Sequence, residues 1–372
     1  MWGLAVGLIA AALLLAACGS DSDSEAGSSS SSGGGIETVP AEELGGQRNA
    51  EKLKDLYRRA VDAGQTTVTI YGGTTPAEGK LFKAFTNDFP EIEVHPVAVA
   101  GAQMAAKVNA EFSSGKRIAD LAETEVLVLL DFDEQHKLVR DAVFTAKGFD
   151  EEYVGPHKSF YAASLAPFGV SYNTNLVEEG ETPKSWHDLL HPRWKGQISM
   201  GNPTVVGPAM QVFASMLYSG DYTPDFFRRL YAQDPQVAPP TSPAGTTETI
   251  AQGARRVGVP ASQKFTVQAA DKGAPIGFSL FERDNYVTRN AIGLIKDAPH
   301  ELAARLYMNW LFTPRGGAAV AKNISAYSPV PGSPPPPGLP PLDQVDRLPQ
   351  IPVEELAEQE KKAISVAQGI FR

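Results

Sequence analysis

Cysteine is nearly absent from this 372-residue chain, which contains Cys18 and no other. No disulfide can therefore form within the chain, and the fold must rest on its apolar core. Basic runs are also absent and the formal net charge is −10. Both features argue against nucleic acid as a partner, because phosphate binding needs clustered Lys and Arg. The sequence contains neither a G-x-S-x-G elbow nor a P-loop pattern, so nucleophilic catalysis has little support.

The single cysteine closes an apolar stretch at the start of the chain. Residues 1–17 have the length of a signal-peptide hydrophobic region and fall slightly short of a comfortable membrane span. The ending Leu15-Ala16-Ala17-Cys18 resembles the bacterial lipobox, in which the cysteine is lipidated and becomes the first residue of the mature protein. No Lys or Arg precedes Cys18, which departs from the usual signal peptide and puts the start codon in doubt. The alternative is a plain transmembrane anchor.

Residues 18–47 are rich in Ser and Gly and predict a flexible tether. About 25 such residues span roughly 25–30 Å as a flexible coil. A diacyl group on Cys18 supplies two chains, which is enough for stable anchoring. We therefore expect an extracytoplasmic protein, in the periplasm or on the cell surface, held to the membrane by lipidated Cys18.

Beyond the tether, hydrophobic spacing alternates between helix and strand patterns. Residues 49–137 read as a helix followed by a β-α-β-α-β-α succession, which predicts a parallel sheet with helices on both faces. Ligands bind outside the carboxyl ends of such strands. This rule places residues 72–74, Gly101 and residues 123–124 on one rim.

The rest of the chain also alternates between strand and helix patterns. The full length of 372 residues favours two lobes. Residues 198–220 read as strand, loop and helix, and VGVPAS at 257–262 as a further strand. Residues 298–322 read as one long helix. Residues 330–342, VPGSPPPPGLPPL, predict a polyproline-like surface loop, and residues 352–371 a final helix.

One stretch resembles a known family. PKSWHDLLHPRWKGQISMGNP, at 183–203, is similar to the extracellular solute-binding proteins of ABC importers, in the branch that includes ferric-ion binders. Three further stretches match the family in the same order: LYRRAVDAGQTTVTIYGG, FGVSYNTNL and KDAPHELAARLYMNWLFTPRGG. Together the four stretches span nearly all of the chain beyond the tether.

The resemblance implies an α/β, two-lobed, type II periplasmic-binding-protein-like fold with two hinge strands. The ligand would lie in the cleft between the lobes, which close on it. On this basis we expect lobe 1 to comprise residues 48–168 plus 286–372, and lobe 2 residues 169–285.

Two metal chemistries, zinc and ferric iron, find only partial support in the sequence. His187 and His191 form HDLLH, which imitates the zincin H-E-x-x-H on one helical face, but zinc would need a third ligand. The family motif explains both histidines as helix surface. Iron binders of the family use adjacent tyrosines, whereas this chain has no Tyr-Tyr pair and reads VPASQKF where the pair is expected. Tyr286 has no adjacent tyrosine. His95, within IEVHPVAV, is expected to be a structural histidine whose polar groups are hydrogen-bonded.

The remaining site candidate is a polar cleft built from strand-end loops and helix N-termini, which offer free N–H groups to an anion. Thr75 and Glu78 form a T-x-x-E capping box, which would compete with a ligand for the free N–H groups of one helix N-terminus. The Glu123 carboxylate would repel an anion unless it contacts an amine or a hydroxyl group of the ligand. A zwitterionic or hydroxylated ligand would therefore suit both the helix N-termini and Glu123. Gln263 could also face the cleft. The predicted ligand-binding residues are Gly73, Thr74, Thr75, Glu123, Thr124, Asn202, Thr204, Gly207, Ser262 and Tyr286.

The sequence therefore predicts a lipid-anchored receptor of an ABC import system that captures a small polar or anionic solute by lobe closure. It would deliver the solute to permease and ATPase subunits, with no catalytic step, no cofactor and no nucleic acid, as a monomer. Three alternatives remain open: a secreted metal-dependent hydrolase, a ferric-iron-binding receptor, and a ligand sensor that signals to a membrane kinase.

Overall fold

The computed structural model describes residues 35–73, 76–238 and 244–371. Cys18, the predicted signal peptide, the first part of the predicted tether, Thr74 and Thr75 lie outside these residues. The strands of the described part are β1 Thr67–Gly72, β2 Glu93–Ala98, β3 Leu121–Glu125, β4 Phe160–Asn173, β5 Ile198–Met200, β6 Gln236–Val237, β7 Val257–Ser262, β8 Ile276–Ser279 and β9 Tyr286–Leu294. Its α-helices are α1 Gln47–Asp62, α2 Pro76–Asp88, α3 Gly101–Ser114, α4 Val126–Glu134, α5 Pro208–Ser219, α6 Pro224–Tyr231, α7 Gly245–Ala251, α8 Gln263–Ala270, α9 Glu301–Leu311, α10 Pro314–Ile324 and α11 Val353–Ile370.

The strands form one continuous sheet in the order β2-β1-β3-β9-β4-β7-β5-β6, with β8 paired to β4. β1 is parallel to β2 and β3, and β5 is parallel to β6 and β7. The expected parallel pairing is therefore found within each half. Where the halves meet, the pairing is antiparallel: β9 runs antiparallel to β3 and β4, and β4 runs antiparallel to β7.

Two strands join the halves. The first part of β4 pairs with β9 from Phe160↔Gly293 to Phe168↔Tyr286. The second part of β4 pairs with β7 and β8 of the other half. The predicted two-lobed α/β fold with two joining strands is confirmed.

Aromatic packing fills the core of the first half. The apolar face of α2 is buried, and the rings of Phe85 and Phe89 have centroids 4.9 Å apart. Phe85 also packs edge-on against Tyr307 and Trp310 of α9, with centroids at 5.0 and 5.4 Å. Such offset and edge contacts are the favoured aromatic geometries. Helices α2 and α9 are thereby fixed on the sheet, which positions the N-terminal end of α2.

The C-terminal helix contacts both halves. α11 packs mainly against α5, and also against α6 and α4. Its buried stripe of Leu356, Glu360, Ala363 and Ala367 follows helical spacing. α11 therefore forms part of the wall where the two halves face each other.

The first correction concerns the tether, which was predicted to reach residue 47. Residues 35–46 are folded, with two short 3₁₀ helices at Ile36–Thr38 and Ala41–Leu44. Ile36 and Leu44 are 2% and 0% exposed, so their burial in the core of the first half holds this segment in place. The prediction of a free tether is wrong for residues 35–47.

The second correction concerns the long helix predicted at 298–322, which is two helices, α9 and α10. Pro314 cannot continue the hydrogen-bond ladder of α9 because it lacks an N–H. Thr313 caps α10 instead, and its Oγ1 accepts a hydrogen bond from the Gly316 N–H at 3.1 Å. The predicted proline-rich loop is confirmed, since no α-helix or strand lies between α10 and α11.

Candidate ligand cleft

The end of β1 and the residue after it bring backbone close to Glu123 and Glu78. A Cβ added at Gly72 would lie 3.0 Å from the Glu123 carbonyl oxygen, and one at Gly73 would lie 3.0 Å from Glu78 Oε1. Of the predicted residues in the loop after β1, Gly73 is described and exposed. The small residues here thus allow the end of β1 to approach Glu78 and Glu123 closely.

Glu123 is the polar centre of this region. Its Oε1 accepts a hydrogen bond from Asn290 Nδ2 at 2.6 Å, across the β3–β9 pair. The pKa of Glu123 is raised to about 7, mainly by burial and also by the nearby Glu78 carboxylate, while Lys264 and the hydrogen bond from Asn290 act in the opposite direction. Tyr307 lies near both carboxylates, and its burial raises its own pKa. The predicted site residue Glu123 therefore carries a proton for part of the time near neutral pH.

An ion pair joins the two halves at the same place. Lys264 Nζ, in the first turn of α8, contacts Glu78 Oε1, in the first turn of α2. The Lys264 side chain is 23% exposed and the Glu78 side chain 11% exposed. The contact therefore bridges the halves in a largely desolvated position.

The predicted residue Ser262 ends β7 and precedes α8. Its side chain makes no capping hydrogen bond, and its carbonyl accepts one from Thr266 Oγ1 at 2.9 Å. Gln263 donates from Nε2 to the Pro337 carbonyl at 3.2 Å, while its buried Oε1 has no partner. The start of α8 thus meets the proline-rich loop as well as α2.

The loop before α5 contains three predicted residues. Asn202 Oδ1 accepts hydrogen bonds from the Thr204 N–H at 2.9 Å and from Thr204 Oγ1 at 2.7 Å. This is an Asx turn, so these two side chains first satisfy each other. Gly207 has a φ of +153° with open space around it, and Val206 beside it is 73% exposed.

A cavity of about 170 Å³ lies between the two halves. Its walls are the N-terminal ends of α3 and α4, the loop before α5, β9 and α11. The predicted residue Tyr286 is in this wall, where burial raises its pKa to about 12 and it hydrogen-bonds Ser215. Thr124, also predicted, is 3% exposed, and its Oγ1 donates to Glu125 Oε2 at 2.5 Å. The polar side chains that line the cavity are Glu125, Gln211, Tyr286, Arg289 and Glu360.

Several of these residues were missed by sequence reasoning. Lys264 directly follows Gln263, which was considered, but nothing in the sequence indicates that it reaches α2. Asn290 is an ordinary strand residue by pattern. Glu360 did carry a signal, because it interrupts the apolar stripe formed by Leu356 and Ala363.

The shared helical face expected for His187 and His191 of HDLLH is not formed, so that expectation is wrong. His187–Leu190 is a 3₁₀ turn and His191 caps the next one, so the two histidines do not share an α-helical face. The His187 ring packs against Phe226 at 5.0 Å between centroids. His191 Nδ1 accepts a hydrogen bond from the Arg193 N–H at 3.2 Å. Both histidines thus have local structural roles.

His95 is exposed on β2, 3.2 Å from Glu93 Oε2. Within the described ranges, no group of three or more His, Cys, Asp or Glu side chains is placed to hold a metal ion. Nor is any helix in those ranges both long enough and apolar enough to cross a membrane.

A two-lobed α/β fold with a polar cleft at the strand ends is the architecture of periplasmic binding proteins. The family model for bacterial extracellular solute-binding proteins matches residues 112–356, which is more than half of the chain. The chain therefore belongs to this family, as the sequence resemblance indicated.

Solved structures give the same fold. Iron-bound HitA from Pseudomonas aeruginosa superposes with a TM-score of 0.67 at 19% identity, covering 82% of this chain and 100% of HitA. AfuA from Actinobacillus pleuropneumoniae, with exogenous fructose-6-phosphate bound, gives 0.63 at 17% identity, covering 82% and 98%. A ferric binding protein from Campylobacter jejuni gives 0.64 at 16% identity, covering 82% and 99%. At these identities the likeness concerns the fold alone.

A curated relative, an uncharacterized protein of Haemophilus influenzae, is 26% identical over 167 residues. The match covers 43% of this chain and 47% of the relative, so the chain spans about half the length of that protein.

Proposed function

We propose that this chain is a lipid-anchored receptor that captures a small polar solute by closure of its two lobes and delivers it to a permease and its ATPase. The observation that carries the proposal is the Glu78–Lys264 contact between the helix N-termini of α2 and α8. It brings groups from both halves to the strand ends where solutes bind in such sheets. Binding energy from both lobes then favours the closed form, because that form makes contacts that the open form lacks.

The lobes are proposed to be residues 48–168 plus 286–372, and 169–285. The pairing of Phe168 with Tyr286 supports this division, since β9 begins at this pair and β4 continues beyond it to pair with β7 and β8 of the other half. The packing of α11 on α5, α6 and α4 adds a contact between the lobes that closure has to preserve or rearrange.

The membrane anchor is part of the proposal and rests on the lipobox-like ending at Cys18. Expression of the full chain followed by detergent phase separation tests it. The wild-type protein is expected in the detergent phase with a diacyl mass increment, and Cys18→Ser in the aqueous phase. Equal partitioning of the two proteins would contradict the anchor and leave solute capture untouched.

The solute itself is tested by a thermal-shift screen of phosphonates, sugar phosphates, carboxylates, amines and ferric salts. A solute at one hundred times its dissociation constant stabilises the folded state by about 2.7 kcal/mol. Ferric salts belong in the screen because HitA is an iron-bound structure of similar fold. A shift with ferric iron alone would replace the polar-solute proposal by an iron receptor, and stoichiometric zinc in the purified protein would favour a metalloenzyme.

A further inference from the structure

The buried carboxyl of Glu360 faces the cavity between the lobes with one oxygen unpartnered. Glu360 is 5% exposed, and its Oε1 has no hydrogen-bond partner. The same side chain lines the 170 Å³ cavity beside α4, α5 and β9. Leaving a buried polar atom without a partner is unfavourable, so a ligand that supplies a hydrogen-bond donor there would be favoured.

The surroundings of Glu360 indicate which donor fits. The pKa of the Glu360 carboxyl is raised to about 7, mainly by burial. The hydrogen bond with Gln211 acts in the opposite direction, and the nearby Glu125 carboxylate adds to the increase. Arg289 also lines the cavity and keeps its positive charge, but its Nη1 and Nη2 donate to the carbonyls of Glu152 and Ile351, each at 3.1 Å, and not to either carboxyl group. Two acidic groups therefore face the cavity, and an anion placed there would be repelled.

The remaining walls are largely apolar. Val126, Leu127, Val128, Val206 and Leu356 contribute aliphatic surface. The volume is close to that of an engineered cavity of about 150 Å³ that holds benzene. The occupant is thus a group of about six non-hydrogen atoms with an apolar body and a donor at one end.

We propose that this cavity is a subsite for an ammonium group on a short aliphatic body, with the positive charge held between Glu360 and Glu125. Glu125 belongs to the first half and Gln211 to the second, so an ammonium ligand held here contacts both sides of the cleft. This inference rests on the proposed function and narrows its solute to one that carries an amine.

Three probes of similar size and different charge test the subsite: n-butylamine, n-butanol and butyrate. Binding to the full chain is measured by isothermal titration for the wild type, Glu360→Gln and Glu358→Gln. Gln keeps the shape of Glu360 and removes its charge, and Glu358 is an exposed residue of the same helix. Butylamine is expected to bind the wild type more tightly than the other two probes. Glu360→Gln is expected to lower the affinity for butylamine by about tenfold to a hundredfold. Glu358→Gln is expected to leave this affinity unchanged.

Equal affinity for butylamine and butanol, no binding of butylamine, or an unchanged affinity in Glu360→Gln would each overturn the inference. The outcomes separate it from the proposed function. A screened solute that binds wild type and Glu360→Gln equally well would remove the ammonium subsite and leave the receptor standing. Butylamine binding without any change in lobe separation would support the subsite and count against the receptor.

Discussion

The side chains of Glu78 and Lys264 meet across the cleft although they are 186 positions apart in the chain. Each belongs to the first turn of a helix that follows a strand of its own half, Glu78 after β1 and Lys264 after β7. The contact therefore reports on the relative position of the lobes, and it is the best place to perturb closure without touching the hinge strands.

Lys264→Met should weaken the contact between the lobes. The substitution keeps most of the apolar stem and removes the charge that faces Glu78 and Glu123. Because both partners are largely desolvated, we expect the free energy of unfolding to fall by about 1–2 kcal/mol. Urea denaturation measures this. Lys272→Met, at an exposed position just after α8, is the control and should change stability by less than about 0.5 kcal/mol. Equal effects of the two substitutions would show that the contact between the lobes contributes nothing to the free energy of unfolding.

The stability that Glu123 and Glu360 contribute should fall as the pH rises from about 4.5 to about 7. The pKa values of Glu123 and Glu360 are both raised from 4.5 to about 7. Between these values the folded state binds more protons than the unfolded state, so the free energy of unfolding decreases with increasing pH. The contribution is fully present below about pH 4.5 and lost as the pH passes about 7, and for each group it is at most about 3 kcal/mol.

Glu360→Gln isolates one of these groups. Gln remains neutral, so relative to the wild type the variant should gain about 1–3 kcal/mol on going from about pH 5 to about pH 8. Urea denaturation at the two pH values measures the difference, with Glu358→Gln as the matched control on the same helix. The same pH dependence in wild type and Glu360→Gln would mean that the Glu360 carboxyl does not titrate as described.

Gly169→Ala should disturb the strand that joins the lobes. A Cβ at Gly169, in β4, would lie 2.4 Å from the Ser279 carbonyl oxygen and 3.1 Å from Phe278 Cζ. Since the first contact is with backbone, β8 would have to move, and we expect a loss of about 1–3 kcal/mol in the free energy of unfolding. Gly180→Ala, where nothing lies within 4 Å, is the control. A Gly169→Ala protein as stable as Gly180→Ala would show that β4 and β8 are not packed as closely as the structure places them.

The fold could be predicted from the sequence where spacing and local rules decide it. The buried stripe at 81–89 and the glycine-ended strand at 67–72 follow directly from periodicity, and the ordered family motifs supply the two-lobed arrangement. The break at Thr313-Pro314 was also readable from the chain, because proline cannot lie inside a helix without losing a hydrogen bond. The burial of Ile36 and Leu44 could not be predicted in this way. Only tertiary packing shows that the residues following the Ser/Gly-rich segment are held in the core of the first half.

The site could be predicted only in part. Glu123 was expected at the cleft from its place near the end of a predicted strand, but its partners come from distant parts of the chain. Asn290 reaches Glu123 across 167 positions, and Lys264 reaches Glu78 across 186. Such pairings depend on strand order and on side-chain direction, which a single sequence does not specify. The misreading of HDLLH has a simpler cause, because four-residue spacing implies a shared face only in an α-helix.

The central claim is that the two lobes close on a solute, and a distance measurement between them tests it most directly. Spin labels on Lys83→Cys, exposed on α2, and Lys272→Cys, exposed after α8, in a Cys18→Ser background report the separation of the lobes by double electron–electron resonance. With a solute from the thermal-shift screen at saturation, the distance distribution is expected to narrow and shift to shorter values. An unchanged distribution at a concentration where titration shows full binding would contradict closure.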